Sequence, residues 1–218
     1  MSADNPHPRR SKAATRLFWD GVRSAPPGWR GLEDRGPEEL VREGIPLPTG
    51  AIDQVYLGPA VGRVPHWDLV ELLEEFRRVL VVGGTIRVAA YDMEATLAAY
   101  DSARDDFFWE HWVDAPAGAL GAQLLESGAV RTLLAPDLVA ELLRRAGFDD
   151  ATVRPFGISA ADPKLAGPDR LGEHCCFVEA HNAVPWPDTG ERGRPSAPHL
   201  ALADSDGRSY RIIWTGPA

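Results

Sequence analysis

The sequence predicts a single α/β domain built on an open sheet with helices on both of its faces. Amphipathic helical segments alternate along the chain with short apolar segments that have the length of buried strands. The 218 residues are enough for one domain with a full hydrophobic core. Hydrophobic residues make up 44% of the chain and charged residues 25%, which is the composition of a globular protein.

Five short apolar segments are the candidate strands of this sheet. They are residues 16–19, 51–57, 85–90, 152–156 and 175–180. The first reads RLFW and ends at the turn-forming pair Asp20-Gly21. The third follows Gly83-Gly84, a pair that we expect to end the preceding helix and to turn the chain into the strand.

Four segments between and after these strands have the apolar spacing of helices. They are residues 67–80, 94–109, 117–127 and 136–146. In the first of them, acidic residues lie near the beginning, while Arg77 and Arg78 lie near the end, as the helix dipole favours. The last has Pro136 in its first turn and is followed by Gly147, which is typical of a helix end.

The two ends of the chain differ from the periodic region. We expect residues 1–15 to form a mobile arm and residues 16–182 to form the domain. Residues 183–218 begin with a Pro-rich linker, followed by apolar residues that alternate on both sides of Asp206-Gly207, the pattern of a β-hairpin. Because a lone hairpin is marginally stable in water, we expect it to pack on the main sheet or to join two subunits in a homodimer.

Composition also argues against several classes of function. The chain has 23 Lys and Arg against 32 Asp and Glu, a formal net charge of −9, which does not suit a nucleic-acid surface. No apolar run approaches the roughly 20 residues of a membrane span, and no apolar segment of a secretory signal follows the basic N-terminus. Cys175 and Cys176 are adjacent and cannot form a disulfide framework, so we expect a cytoplasmic protein.

The stretch from Ala51 to Tyr100 resembles the second half of a class I, Rossmann-like S-adenosylmethionine-dependent methyltransferase. In that family a strand of the type (S/A)-x-D-x-V leads to a loop, a helix ending in RVLKPGG, and a strand that carries PD. The matching residues are Asp53 with Val55, then residues 78–84 (RVLVVGG), then Tyr91-Asp92.

A later stretch extends the resemblance, so that it covers roughly residues 16–182. Residues 136–157 (PDLVAELLRRAGFDDATVRPFG) resemble the last helix and sixth strand of the family, and residues 175–180 resemble its seventh strand. The resemblance implies a Rossmann-like fold with a mixed seven-strand sheet, in which the last strand is antiparallel, and helices on both faces.

The resemblance also implies where S-adenosylmethionine would bind. The Gly-rich turn of the family corresponds to Asp20-Gly21, so one glycine is kept. The carboxylate of Asp20 would repel the carboxylate of the ligand unless it binds the ammonium group instead. Glu33 or Asp34 would hold the ribose hydroxyls. Residues 23–29 are too short and Pro-rich for the helix that follows the first strand in the family, and residues 58–62 (GPAVG) offer no acid–base side chain.

Three residues are the candidates for chemistry on the acceptor. Tyr91 and Asp92 follow a strand, where open α/β sheets place ligand contacts, although Asp92 also suits a helix N-cap. His111 lies among carboxylates that favour a general base, but the aromatic residues around it equally indicate a helix packed in the core. Arg131 and Thr132 would clamp an anionic acceptor or lie on the surface. No metal site is expected, because the ligand spacing is not diagnostic.

Two functions remain open at this point. One is a methyltransferase that acts on a small molecule with a divergent cofactor pocket, since methyl transfer needs little beyond alignment of the reactants. The other is a pseudo-methyltransferase that has lost cofactor binding and either catalyses another reaction in the same cleft or serves as a partner subunit.

Overall fold

The computed structural model describes residues 14–21, 23–32, 35–108, 116–125, 130–187, 201–203 and 209–211. Within these ranges the main sheet has six strands in the order β2–β1–β3–β4–β6–β5. The strands are β1 (Arg16–Trp19), β2 (Arg30–Gly31), β3 (Ile52–Leu57), β4 (Leu80–Tyr91), β5 (Asp149–Arg154) and β6 (Cys175–His181). Strands β1 to β4 pair in parallel, and β6 runs antiparallel to both of its neighbours, β4 and β5.

Six α-helices lie in the described ranges; four of them follow the predicted pattern with shifted ends, and the first and the last of the six were not predicted. They are α1 (Pro37–Glu43), α2 (Leu69–Val79), α3 (Met93–Asp101), α4 (Pro116–Leu125), α5 (Pro136–Arg145) and α6 (Pro163–Ala166). The predicted helix over residues 94–109 ends early, at Asp101, and is followed by a separate short turn, Asp105–Phe107. The first strand, the helix after β3 and the helix with Pro136 at its start lie where the sequence predicts them.

One face of the sheet packs on helices and forms the main hydrophobic core. Leu17, Val55 and Ile86 point to this face and are fully buried. Helix α2 contributes Leu72 and Phe76, and α5, which contacts α2, contributes further apolar side chains. Burial of this apolar surface is the main driving force that holds the helices on the sheet.

The other face carries a row of larger side chains across the strands. Phe18, Tyr56, Arg87 and Glu179 are successive cross-strand neighbours. Residues 155–170, which include the one-turn helix α6, lie over this row. The backbone carbonyls of Pro155 and Ile158 accept hydrogen bonds from Arg87 at 3.1 and 3.0 Å. This face is therefore covered mainly by irregular chain, and helices α2 and α5 lie on the opposite side.

The described sheet has six strands and not the expected seven, and between β2 and β3 the chain forms helix α1. Pro37 occupies the first turn of α1, and two glutamates follow it, which favours a helix N-terminus. Leu40 turns inward and is fully buried. In the described chain, β2 is therefore an edge strand.

The pair Gly83-Gly84 does not end α2, as the sequence predicts, but lies inside β4. The helix ends at Val79 and the strand begins directly at Leu80. The pairs Ile52–Leu80 and Gln54–Thr85 flank residues 81–84, which bulge out of the ladder. Gly83 has a φ of +80°, and its N–H donates to the carbonyl of Asn182 at 2.7 Å. The glycines therefore serve a bulge rather than a helix end.

Contacts within the chain separate it into two compact units, with the boundary after Trp186. In the second unit, β7 (Ala201–Ala203) pairs antiparallel with β8 (Ser209–Arg211), so the predicted hairpin is present. The predicted N-terminal arm lies outside the described residues, except for positions 14 and 15. None of the helices in the described ranges has the length and apolarity to cross a bilayer.

Candidate functional site

A cleft of about 390 Å³ lies at the edge where the parallel strands β1, β3 and β4 end. We call it the first cleft. Its walls come from the turns after β1 and β3, from the end of β4, and from the chain that leads into β6. The residues that line it are Asp20, Arg23, Tyr56, Pro59, Ala60, Arg63, Tyr91, Arg170 and Leu171. Open α/β sheets place their ligands at this edge.

Asp20 is a buried carboxylate with one oxygen available to a ligand. It follows β1 directly and is 2% exposed. Its Oδ2 accepts hydrogen bonds from Arg23, with the Nε of Arg23 at 2.8 Å. Its Oδ1 is buried and has no hydrogen-bond partner among the described residues. A buried acceptor without a partner is costly, so a ligand that donates a hydrogen bond to Oδ1 would relieve that cost.

Tyr56 provides a second buried polar atom at the same cleft. Its ring stacks on Phe18, with centroids 5.6 Å apart and planes 8° from parallel. Its hydroxyl is buried and has no partner within the described part of the chain. Burial raises the pKa of the phenol well above its usual value, so the hydroxyl stays protonated and can donate a hydrogen bond.

The first cleft is rich in guanidinium groups. Arg23, Arg63 and Arg170 line it, against the single carboxylate of Asp20. Arg23 is held in place, because it pairs with Asp20, lies 5.3 Å from the centroid of Phe18 and reaches the carbonyl of Pro168 at 3.3 Å. Guanidinium groups favour a ligand that carries a carboxylate or another anionic group.

The two glycines at this edge bring the turns after β1 and β3 together. Gly21 has a φ of +78°, and a Cβ on it would collide with the side chain of Ala60. A Cβ on Gly58 would lie 2.6 Å from Oδ2 of Asp20. The Gly58 N–H donates to the carbonyl of Trp19 at 2.7 Å. In this structure Gly21 therefore permits contact between two turns rather than opening a cradle for a ligand.

A second cleft of about 370 Å³ lies beside the first, and Tyr91 lines both. Its walls are the beginning of α3, the end of α4 and residues 130–134. These walls are fixed to the sheet by backbone hydrogen bonds: Met93 N–H donates to Leu134 at 2.8 Å, and Thr132 N–H donates to Gly62 at 3.0 Å. The second cleft is therefore a preformed pocket at the end of β4.

The structure places the predicted acceptor-side residues in different roles. Tyr91 lies between the two clefts, as its position at a strand end suggests. Asp92 is the N-cap of α3, because its Oδ1 accepts from the N–H groups of Glu94 and Ala95 at 2.9 and 3.1 Å. His111 lies outside the described residues, as do Glu33 and Asp34, the residues expected near the ribose.

The proposed anion clamp is engaged with the protein itself. Arg131 is exposed and pairs with Glu38 at 3.0 Å, while the hydroxyl of Thr132 donates to the carbonyl of Val64 at 2.8 Å. Thr132 does line the second cleft. Arg131 therefore lies on the surface, which is the alternative that the sequence analysis gave for it.

The residues of the two clefts that the sequence analysis did not single out include Tyr56, Arg63, Arg170 and His174. Tyr56 was within reach, because it alternates in β3 with Val55 and Leu57 and so lies on the opposite face of the sheet. The other three lie in turns or loops, where no periodicity marks them.

The two cysteines are not placed for nucleophilic chemistry. Both are buried in β6, and they lie on opposite faces of the sheet, as their adjacency predicts. Burial raises the pKa of both thiols, that of Cys176 to about 12, so neither is a thiolate near neutral pH. Among the residues that the structure describes, no group of three or more His, Cys, Asp or Glu is placed to hold a metal ion.

No protein-family model and no curated protein matches the sequence. Solved structures do resemble the fold. A SAM-dependent methyltransferase from Archaeoglobus fulgidus is 10% identical, with a TM-score of 0.47 over 78% of this chain and 87% of that chain. A S-adenosylmethionine-dependent methyltransferase from Mesorhizobium loti is 17% identical, with a TM-score of 0.44 over 77% of this chain and 90% of that chain.

The order and direction of the strands decide the fold. Parallel strands β1 to β4 are followed across the sheet by the antiparallel strand β6, which is the last in the domain, as the resemblance to the methyltransferases implies. The chain has the class I methyltransferase fold. The six described strands of this methyltransferase-like domain are one fewer than the family pattern.

The methyltransferase fold implies S-adenosylmethionine, and the first cleft fits one end of that molecule. The unpartnered Oδ1 of Asp20 suits an ammonium group, and the arginine side chains around it suit a carboxylate. These two groups together form the amino-acid end of S-adenosylmethionine. The turn at Gly21, in contrast, is closed by Ala60 and offers no room at that point.

Proposed function

We propose that the protein binds S-adenosylmethionine in the first cleft and transfers its methyl group to a small molecule in the second cleft. The observation that carries this proposal is the buried, unpartnered Oδ1 of Asp20 at the carboxyl edge of the sheet. A carboxylate oxygen that is 2% exposed and lacks a partner needs a donor, and the ammonium group of the ligand supplies one.

The residues of the first cleft divide the binding task. Oδ1 of Asp20 accepts from the ammonium group, while Arg23 holds Oδ2 and so keeps the carboxylate oriented. Arg63 and Arg170 attract the carboxylate of the ligand. The protonated hydroxyl of Tyr56 donates to an oxygen of the ligand.

Methyl transfer makes modest demands on the remaining residues. When bound, S-adenosylmethionine supplies a methyl group activated by a positively charged sulfur. A lone pair of the acceptor forms the new bond to carbon, the electrons of the broken carbon–sulfur bond stay on sulfur, and any proton of the acceptor leaves to solvent. Tyr91 lines both clefts and would align the acceptor, and such alignment supplies much of the rate.

Calorimetric titration with S-adenosylmethionine and S-adenosylhomocysteine tests the proposal. We expect both ligands to bind the wild type, and Asp20→Asn to weaken binding at least about tenfold, because a charge-assisted hydrogen bond is lost. Asp101→Asn makes the same chemical change on the exposed side of α3 and should bind as the wild type does.

A second variant keeps the test decisive if Asp20→Asn folds poorly. Tyr56→Phe removes a buried hydroxyl that has no described partner, so the variant should be as stable as the wild type while it binds more weakly. Absence of heat and of any rise in melting temperature with either ligand at millimolar concentration would refute the proposal, since a ligand of the native state must stabilise it.

A second candidate function is a methyltransferase-like protein that uses no methyl donor. The closed turn at Gly21 favours it, as does the loop of residues 58–62, which carries no acid–base side chain. Such a protein would catalyse another reaction in the cleft or act as a partner subunit. The same titration separates the two candidate functions, because a protein of this second kind binds neither S-adenosylmethionine nor S-adenosylhomocysteine.

A further inference from the structure

Most polar side chains that line the second cleft already have partners in the backbone, and Gln123 also lines it. Oδ1 of Asp92 caps α3. The hydroxyl of Thr96 donates to the carbonyl of Asp92 at 2.7 Å, and that of Thr132 donates to Val64 at 2.8 Å. The ring of His174 has its Nε2 at 2.7 Å from the carbonyl oxygen of Phe107. These groups form part of the wall, and the hydrogen bonds named here are made to the protein's own backbone.

The rest of the wall is mainly apolar. The apolar residues that line the second cleft are Met93, Leu124, Val130, Leu133 and Leu134. No Lys or Arg is among the described residues that line it. Asp92 carries a negative charge, but the N–H groups and the dipole at the beginning of α3 stabilise that charge.

From this wall we infer that the second cleft binds a neutral, largely apolar group, such as an aromatic ring, and that the methyl acceptor belongs to this class. The inference rests on the proposed function, which makes the occupant of this cleft an acceptor. An anionic ligand would lie near Asp92 with no Lys or Arg beside it among the described residues of the wall. A cationic ligand would lose its hydration, while the carboxylate it would need already serves α3.

The experiment compares three ligands that share the indole ring by calorimetry or chemical-shift titration. They are indole, indole-3-acetate and tryptamine, which are neutral, anionic and cationic. We expect indole to bind the wild type and the two charged compounds to bind at least about tenfold more weakly, because their charge must be desolvated without a partner.

Two neighbouring leucines give a matched pair of variants. Leu124 lines the second cleft, whereas Leu125, the next residue of α4, is 49% exposed and does not line it. Leu124→Arg should abolish indole binding, and Leu125→Arg should leave it unchanged. If Leu124→Arg unfolds the protein, Leu133→Arg, on a separate wall and 38% exposed, serves the same purpose.

The outcomes separate this inference from the proposed function. Indole that binds no better than the charged compounds, or an equal loss in Leu124→Arg and Leu125→Arg, overturns the apolar assignment. If indole binds as expected while neither donor ligand binds in the first cleft, the second cleft is an apolar site and the proposed methyl transfer fails. If the donor binds and tryptamine or indole-3-acetate is preferred, the inference alone fails.

Discussion

Arg87 is fully buried and carries its charge between two carboxylates. Its guanidinium contacts Asp169 at 2.5 Å and Glu179 at 2.8 Å, and both carboxylates are almost completely buried. Arg87→Met should lower the free energy of unfolding by about 3–5 kcal/mol, because two buried negative charges lose their partner. Urea denaturation measures the change.

An exposed ion pair of the same chemistry provides the control for Arg87. Arg104 pairs with Asp106 and Glu173 at the surface, so Arg104→Met should lower the free energy of unfolding far less than Arg87→Met does. The triple variant Arg87→Met, Asp169→Asn, Glu179→Gln should recover much of the loss, since no unpaired charge stays inside. A loss in Arg87→Met as small as that in Arg104→Met would contradict the prediction.

At the same scale, the sequence predicted the residues that follow a strand directly. Asp20 and Tyr91 line the first cleft because the ends of parallel strands meet at one edge. Arg170 reaches that cleft because its neighbour Asp169 pairs with Arg87, 82 residues earlier in the chain. A pairing over that distance leaves no local pattern, so sequence periodicity could not reveal it.

Among the elements, β4 shows why a local signal can be misinterpreted. The sequence RVLVVGG ends a helix and begins a strand, and a pair of glycines serves a helix end and a strand bulge equally well. Asn182 decides between them. Its side-chain amide donates to the carbonyls of Leu80 and Val81 at 3.0 and 3.2 Å, from about a hundred residues away.

The bulge in β4 makes a specific prediction for its second glycine. A Cβ on Gly84 would lie 2.9 Å from the carbonyl oxygen of Val81 and 3.0 Å from that of Asp53. Because backbone must shift to admit it, Gly84→Ala should cost about 1–3 kcal/mol in urea denaturation. Gly121→Ala, in α4, meets nothing within 4 Å and should raise stability by up to about 1 kcal/mol. Equal stability of the two variants would disprove this account.

For the whole molecule, the alternation of strands and helices was enough to predict the α/β class and the sheet edge at which the two clefts lie. The additional strand that the expected seven-strand sheet would contain was implied by the resemblance rather than by the residues of this chain. Pro37, Glu38 and Glu39 together form a helix N-terminus, and their pattern was visible in the sequence. Where a resemblance and the local residue pattern disagree, the residues of this chain describe its structure better.

The division of the chain after Trp186 predicts how far it can be shortened. The buried residues of the first unit run from Leu17 to Asn182, so a chain that ends at Trp186 should unfold within about 0.5 kcal/mol of the full chain. A chain that ends at Asn182 also loses the Trp186 ring, whose centroid is 5.5 Å from the Arg77 guanidinium, and the Val184 carbonyl that Arg77 contacts at 3.4 Å. It should be less stable by about 1 kcal/mol.

Urea denaturation and light scattering of the full chain and the two shortened chains measure stability and mass together. If the C-terminal hairpin joins two subunits, which is one of the two roles expected from the sequence, the full chain is a dimer and both shortened chains are monomers. A shortened chain that keeps the dimer would rule out that role of the hairpin. If the chain that ends at Trp186 is unfolded without denaturant, the first unit depends on residues 187–218, and the prediction is wrong. The buried side chains of the first unit would then be insufficient for an independent core.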